Sequence, residues 1–197
     1  MTLLIATTPR SGATAYSDLI ARSKGATFIN EPWNRSHQST IQFHMGEDYV
    51  APPRPEKMLG KNMVIHSQIG DCLYRIRYFD ELVFFGRRNR EAQIRSIIIS
   101  SSIGIWHNME VKKDVTLRAS SRLLELALST LVIWDKVVDA NPDINVCWYE
   151  DIYDTLLSKV SNYRPSDASK VQIKDWKAIT KIASDILGSR FNVQTPR

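Results

Sequence analysis

The chain has 197 residues, 43% of them hydrophobic and 24% charged, and a formal charge of +5. That length suits a single domain spanning residues 1–197, able to bury a core without disulfides or a structural metal. The balanced composition excludes a disordered or collagen-like chain. No apolar run approaches the ~20 residues of a membrane span. Leu3-Leu4-Ile5-Ala6 is too short for a signal-peptide core and has no basic residues before it. Two distant cysteines, Cys72 and Cys147, fit a reducing compartment, so the expectation is a cytoplasmic protein without a membrane partner. The 26 Lys and Arg against 21 Asp and Glu favour anionic partners, and the position of the basic residues decides which.

Taken in chain order, Thr2 to Thr7 reads as a strand and Thr8-Pro9-Arg10-Ser11-Gly12 as a tight turn. A helix follows, with Tyr16, Leu19 and Ile20 on one face. Thr27-Phe28-Ile29 is a short second strand closed by Asn30-Glu31-Pro32-Trp33. From Ser36 to Met58 the chain is polar and proline-rich, a long loop of the kind that is usually functional or disordered. Lys61 to Ile65 predicts a third strand and Glu81 to Phe85 a strongly buried one. Arg90 to Ser100 predicts a helix, Ile105 to Asp114 a polar connection, and Val115 to Asp139 a long helix broken by Asn141-Pro142-Asp143. Ile144 to Tyr149 is a further strand, Asp151 to Val160 a helix, and Trp176 to Leu187 a last helix stopped by Gly188. This alternation predicts an α/β fold with a parallel sheet and helices on both faces. In such sheets ligands bind at the carboxyl ends of strands.

Two such ends carry chemistry. In Thr8-Pro9-Arg10-Ser11-Gly12-Ala13-Thr14, Gly12 permits a backbone shape that turns successive N–H groups toward an anion. The next helix adds its positive end, Arg10 a fixed charge, and Ser11 and Thr14 hydroxyls. The plainer alternative is an ordinary strand-to-helix turn with a Ser or Thr cap. The pattern lacks the glycine and lysine spacing of a Walker-type loop. Beyond Gly86, Arg87, Arg88, Arg90 and Arg95 crowd a helix N-terminus where positive charge is unfavourable, and Ser96 lies eight residues after Arg88. An anion there would offset the cost, so the two turns together suit a ligand with two separated phosphate-like groups.

These two segments resemble those of sulfotransferases that use 3′-phosphoadenosine 5′-phosphosulfate. Thr8 to Thr14 is similar to the family's 5′-phosphosulfate loop, with Arg where cytosolic members often carry Lys. Arg88 to Ser96 resembles the 3′-phosphate motif, an Arg followed eight residues later by Ser, and Trp148-Tyr149-Glu150-Asp151-Ile152 resembles the family's Tyr-Glu-Asp-Leu element. The resemblance implies a P-loop-like three-layer fold with a central parallel sheet flanked by helices. It implies donor binding by Thr8, Pro9, Arg10, Ser11, Gly12, Ala13 and Thr14 at the phosphosulfate and by Arg88 and Ser96 at the 3′-phosphate. Tyr149 belongs to the same set, and Lys174, in Lys174-Asp175-Trp176-Lys177, resembles a further nucleotide-contacting element that here lacks its usual glycines. The product would be adenosine 3′,5′-bisphosphate, with no metal.

Sulfuryl transfer to an alcohol needs a base for the acceptor proton and cations at the departing oxygen. Glu31, at the end of the second strand and so expected beside the first turn in a sheet of this kind, matches the position of the catalytic Glu of bacterial carbohydrate sulfotransferases of the trehalose type and of some heparan sulfate enzymes. His66, expected just after the third strand, is the second candidate base. Lys61 and Arg10 are the candidate cations. His37, His44 and His107 have no metal-ligand spacing. Trp33, Trp106 and Trp148 suit either core or a ring-covering role, and the two long loops, with Phe43, Tyr49, Trp106, His107 and Asn108, suit a carbohydrate or other hydroxylated acceptor. At its length the chain is short for the family, which leaves room for a homodimer to complete the acceptor region. Two alternatives stay open: a P-loop nucleotide-dependent kinase, which needs a lysine the loop lacks, and a non-catalytic module binding nucleotide or nucleic acid. The modest charge and the absence of RNA- or zinc-finger-type motifs argue against nucleic acid.

Overall fold

A computed structural model describes residues 1–34, 61–104, 110–153, 155 and 167–191. The chain divides into two compact units, one of residues 1–86 with 136–147, the other of residues 87–135 with 148–197. It is mixed α/β, with a five-stranded parallel sheet flanked by helices and a separate two-stranded sheet. Among the described residues no helix is long and apolar enough to cross a membrane.

The first unit is organised around β1 (Thr2–Thr7), whose six residues are all buried. Burial of Leu4 and Ile5 stabilises the fold by roughly 1.5–3 kcal/mol each. β1 lies between β3 (Met63–Gln68) and β4 (Glu81–Gly86), and β2 (Thr27–Asn30) pairs with the far side of β3. The order is therefore β2-β3-β1-β4, continued by β6 (Val146–Trp148). In register, Thr7 faces Gln68 on one side and Phe85 on the other, so the three strands end together. Helix α1 (Ala13–Ser23) packs against β1, β2 and β3 through Ala13, Ala15, Ser17 and Ala21. Those small side chains bring its axis close to the strands and fix where its N-terminus sits.

β3 starts and ends later than Lys61–Ile65, which moves His66 from beyond the strand into it. A helical turn (Ile69–Cys72) and a 3₁₀ segment (Leu73–Tyr78), neither expected, lead from β3 to β4. Between Lys24 and β2, Gly25 takes φ +57, the left-handed turn that ends α1.

In the second unit α2 (Arg90–Ile103) begins as expected and runs three residues further, to the left-handed cap Gly104. The expected helix from Val115 splits into β5 (Val115–Leu117) and α3 (Ser121–Asp139). β-branched Val115 and Thr116 pair in parallel with β7 (Val171–Ile173), a strand not expected from the sequence. α4 (Trp176–Leu187) ends at Gly188 as expected. Ile94, Ile98, Leu128, Leu131, Ile179 and Ala183 form the core between α2, α3 and α4. The expected strand Ile144–Tyr149 shortens to β6, and Tyr149–Ile152 forms a helical turn. Most of the expected helix Asp151–Val160 and all of the loop Ser36–Met58 lie outside the described residues, as do His37, Phe43, His44, Tyr49, Trp106, His107 and Asn108.

Candidate functional site

The turn from β1 to α1 has the backbone of an anion cradle. Arg10 takes φ +59 and Gly12 φ +89, with Ser11 and the helical Ala13 of the opposite sign between and after them. Alternation of this kind turns consecutive N–H groups toward one concavity. Gly12 caps α1 without a side chain, and residues 13–16 contain no acidic residue. Arg10 in the left-handed region costs roughly 1–2 kcal/mol relative to a glycine there.

The hydroxyls of this turn are arranged differently from the expectation. Thr7 Oγ1 donates to the Phe85 carbonyl at 2.8 Å. It has a single proton, so in the bond between Thr7 Oγ1 and Ser11 Oγ it is Ser11 that donates. Ser11, which is buried, thus ties the turn to the sheet and presents lone pairs rather than a proton to a ligand. The donors that this backbone turns toward the concavity are its own N–H groups.

At the ends of β2 and β3 lies a polar cluster. Glu31 takes φ +46, its N–H donates to the His66 carbonyl at 2.7 Å, and its carboxylate accepts from two carboxamides. Gln68 Nε2 reaches Oε1 at 3.1 Å and Asn34 Nδ2 reaches Oε2 at 2.8 Å. These two bonds fix the orientation of the carboxylate at the carboxyl edge of the sheet. Asp71 stands close enough to feel Glu31, and burial together with that charge raises its carboxyl above the usual range, while Arg75 works the other way. Arg75 lies over the rings of Trp33 and Tyr74, at 4.9 and 3.9 Å, and Trp33 is buried against Phe79. Trp33 is therefore mainly a packing residue.

Three sequence expectations change here. Glu31 was expected beside the first turn, but β3 intervenes, so it ends a strand two positions from β1, roughly 10 Å across the sheet. His66 is only 4% exposed, inside β3, with Nδ1 and Asn30 Oδ1 2.6 Å apart, so it is built into the sheet rather than placed at a strand end. Lys61 precedes β3, and its carbonyl accepts from the Thr2 hydroxyl at 2.9 Å. Because β1 and β3 run in parallel and in register, Lys61 lies at the amino edge of the sheet. A strand of six residues, roughly 20 Å, separates it from the Thr8–Thr14 turn. The structure does not bring it to that turn. Gln68, missed by sequence reasoning, sits opposite Thr7 across the ladder and holds Glu31. Its signal was the polar pair His66 and Gln68, two apart on one face of an apolar strand.

The second unit holds the other turn. Asn89 caps α2, its Oδ1 accepting from Ala92 N at 2.9 Å. Glu150 accepts from Arg88 N and Asn89 N, each at 2.9 Å, so a carboxylate of the chain itself occupies the start of the helix. Both guanidinium nitrogens of Arg88 donate to Asp151, Nη2 to Oδ2 at 2.9 Å, and the group lies 5.1 Å from the Trp148 ring. That pairing raises Arg88 and lowers Asp151 from their usual ranges. Arg87 lies 5.0 Å over Tyr149 and 3.9 Å from Glu150. Burial pushes the Tyr149 phenol up, against the opposing effect of Arg87.

The remaining arginines are also spoken for. Buried Arg90 pairs with Asp135 at 2.6 Å, desolvation lowering its pKa against that pull, and Arg95 donates to the Val171 carbonyl at 2.6 Å. Ser96 is half-buried on α2, roughly 9 Å along the helix axis from Arg90. Lys174 is exposed, its N–H extending the β5–β7 ladder to Leu117. Next to it Trp176 Nε1 donates to Glu91, in the first turn of α2, at 3.1 Å, which draws the Lys174 segment toward that helix start. Among the described residues no group of three or more His, Cys, Asp and Glu side chains is placed to hold a metal ion.

No protein-family model matches the chain, and no curated protein matches it.

Proposed function

We propose that the protein is a sulfotransferase that moves a sulfuryl group from 3′-phosphoadenosine 5′-phosphosulfate to a hydroxyl of a carbohydrate or small metabolite, on a P-loop-like α/β fold. The observation that carries this reading is the turn after β1. Its alternating φ at Arg10–Ala13, its side-chain-free cap and its fixed cation suit a strongly anionic group at a strand end. In the reaction the acceptor oxygen attacks sulfur in line and the bond from sulfur to the 5′-phosphate oxygen breaks. The acceptor proton passes to Glu31, and Arg10 with the cradle N–H groups stabilises charge on the departing oxygen. Glu31 suits the base role better than His66, because its carboxylate is oriented by Gln68 and Asn34 at the sheet's carboxyl edge. Arg88 is assigned to the 3′-phosphate, with Ser96, Tyr149 and Lys174 as further candidates on the nucleotide. The reading uses Lys61 in no role.

The nucleic-acid alternative loses support, because Arg90 and Arg95 are engaged by a buried carboxylate and a backbone carbonyl rather than extending a basic face beyond Arg88. The test is calorimetric titration with adenosine 3′,5′-bisphosphate, AMP and ATP in the absence of metal. A clear preference for the bisphosphate is expected. Equal affinity for all three would reduce the site to a generic phosphate loop and end the sulfotransferase reading.

A further inference from the structure

Asp151 and Glu150 are adjacent acids serving the same turn, and they are held in different ways. Glu150 has 15% of its side chain exposed and receives two backbone N–H bonds, so its removal would leave peptide donors unmet. Asp151 has 54% exposed, and its partner in the described contacts is the Arg88 guanidinium. Exposed ion pairs contribute little to stability. Yet this one has the fork-on-fork geometry in which guanidinium also grips phosphate, and the Trp148 ring supports the guanidinium plane.

We propose that Asp151 is a built-in competitor at Arg88, a carboxylate that holds the guanidinium in phosphate-binding geometry and that the ligand's phosphate must displace. This rests on the reading above, which places the 3′-phosphate at Arg88. A phosphate monoester brings close to two charges and three acceptor oxygens against one charge and two oxygens for the carboxylate, so it wins the exchange. A ribose hydroxyl, neutral, does not, and a nucleotide without the 3′-phosphate leaves the Arg88–Asp151 pair closed. Once displaced, Asp151 remains nearby as a like charge and weakens the grip on the phosphate. The device therefore keeps the guanidinium paired and oriented in the empty protein while holding bisphosphate affinity, and with it product retention, down.

The test compares the full chain with Asp151→Asn and, as a second variant, Asp151→Ser. Titration with adenosine 3′,5′-bisphosphate should show about 2- to 10-fold tighter binding to both variants, with AMP affinity unchanged. A structural role would instead weaken binding or leave it alone. Unchanged or weaker bisphosphate binding in folded variants would overturn the proposal while leaving the sulfotransferase reading intact. Should nucleotides fail to bind any version, inorganic phosphate monitored by the Arg88 side-chain nitrogen resonance separates the two ideas. A response at lower phosphate concentration in Asp151→Asn than in the parent upholds the competitor role without the nucleotide, and identical responses refute it.

Discussion

The two strand-to-helix turns both carry arginine but are solved in opposite ways. After β1 the turn holds Arg10 and Gly12 in left-handed conformations and opens α1 with neither a side-chain cap nor an acidic first turn. After β4 the turn is supplied with anions and a cap from within: Asn89 caps α2, Glu150 accepts from the Arg88 and Asn89 N–H groups just before it, Asp151 takes Arg88, and Asp135 takes Arg90. Crowded arginines at a helix N-terminus do call for anions, as electrostatics demands. Here the chain supplies carboxylates of its own. The difference is a division of labour: backbone strain collects where a ligand is to be bound, while the second turn is made stable first and adjusted for binding by one exposed pair.

The largest effect expected from this contrast is on stability in the second turn. Arg90→Ala strips Asp135 of its closest partner inside the protein, leaving Arg190 at 3.2 Å. Breaking a buried pair in this way costs about 3–5 kcal/mol, measurable by urea denaturation. A loss below ~1 kcal/mol would mean that the turn is not locked by its internal anions. Glu150→Ala comes next. Two peptide N–H groups lose a charged acceptor, at a cost of about 1.5–3 kcal/mol.

The first turn should show the reverse. Arg10→Gly relieves a left-handed residue, a gain that offsets the added freedom of glycine in the unfolded chain. Net stability should therefore stay within about 1 kcal/mol. Bisphosphate affinity should nevertheless fall roughly 10- to 100-fold, because a charge-assisted contact is gone. If Arg10→Gly instead unfolds the protein while leaving affinity alone, the cradle is a structural turn and the contrast disappears.

What could be read from the sequence followed how local its cause was. The turn after β1 was legible because Pro9, Gly12 and the flanking hydroxyls act within one segment. β4 and α4 were legible from an apolar run and a glycine stop. Pairing was not legible. Period-2 patterning says that Lys61–Gln68 contains a strand but does not give its bounds or its neighbours. The insertion of β3 between β1 and β2 moved Glu31 one strand further from the turn, and the parallel pairing of β3 with β1 puts Lys61 at the opposite edge. Val115–Leu117 looked helical because a long helix follows it, until pairing with β7 overrode that preference. The arginines of the second turn were visible, but their partners lie 45 to 76 residues away, beyond any local pattern.

The smallest effect concerns the carboxyl pair at the carboxyl ends of β2 and β3, and it tests whether this edge of the sheet tolerates unfavourable charge. Asp71 holds its proton more tightly in the folded protein than in the unfolded chain, through burial first and the charge of Glu31 second. A group of this kind lowers stability as pH rises from the ordinary carboxylate value through the raised folded one, and the loss persists above it. Asp71→Asn should therefore raise stability at neutral pH relative to the parent and flatten that fall on the acid side. Glu31→Gln removes one of the two causes and leaves the other. The Asp71 carboxyl, followed by ¹³C resonance against pH, should then titrate lower than in the parent, without reaching the ordinary value. The second turn has no counterpart, since Asp151 is drawn down by Arg88 rather than pushed up. A midpoint for Asp71 that ignores Glu31→Gln would mean that the two carboxyls do not share a site.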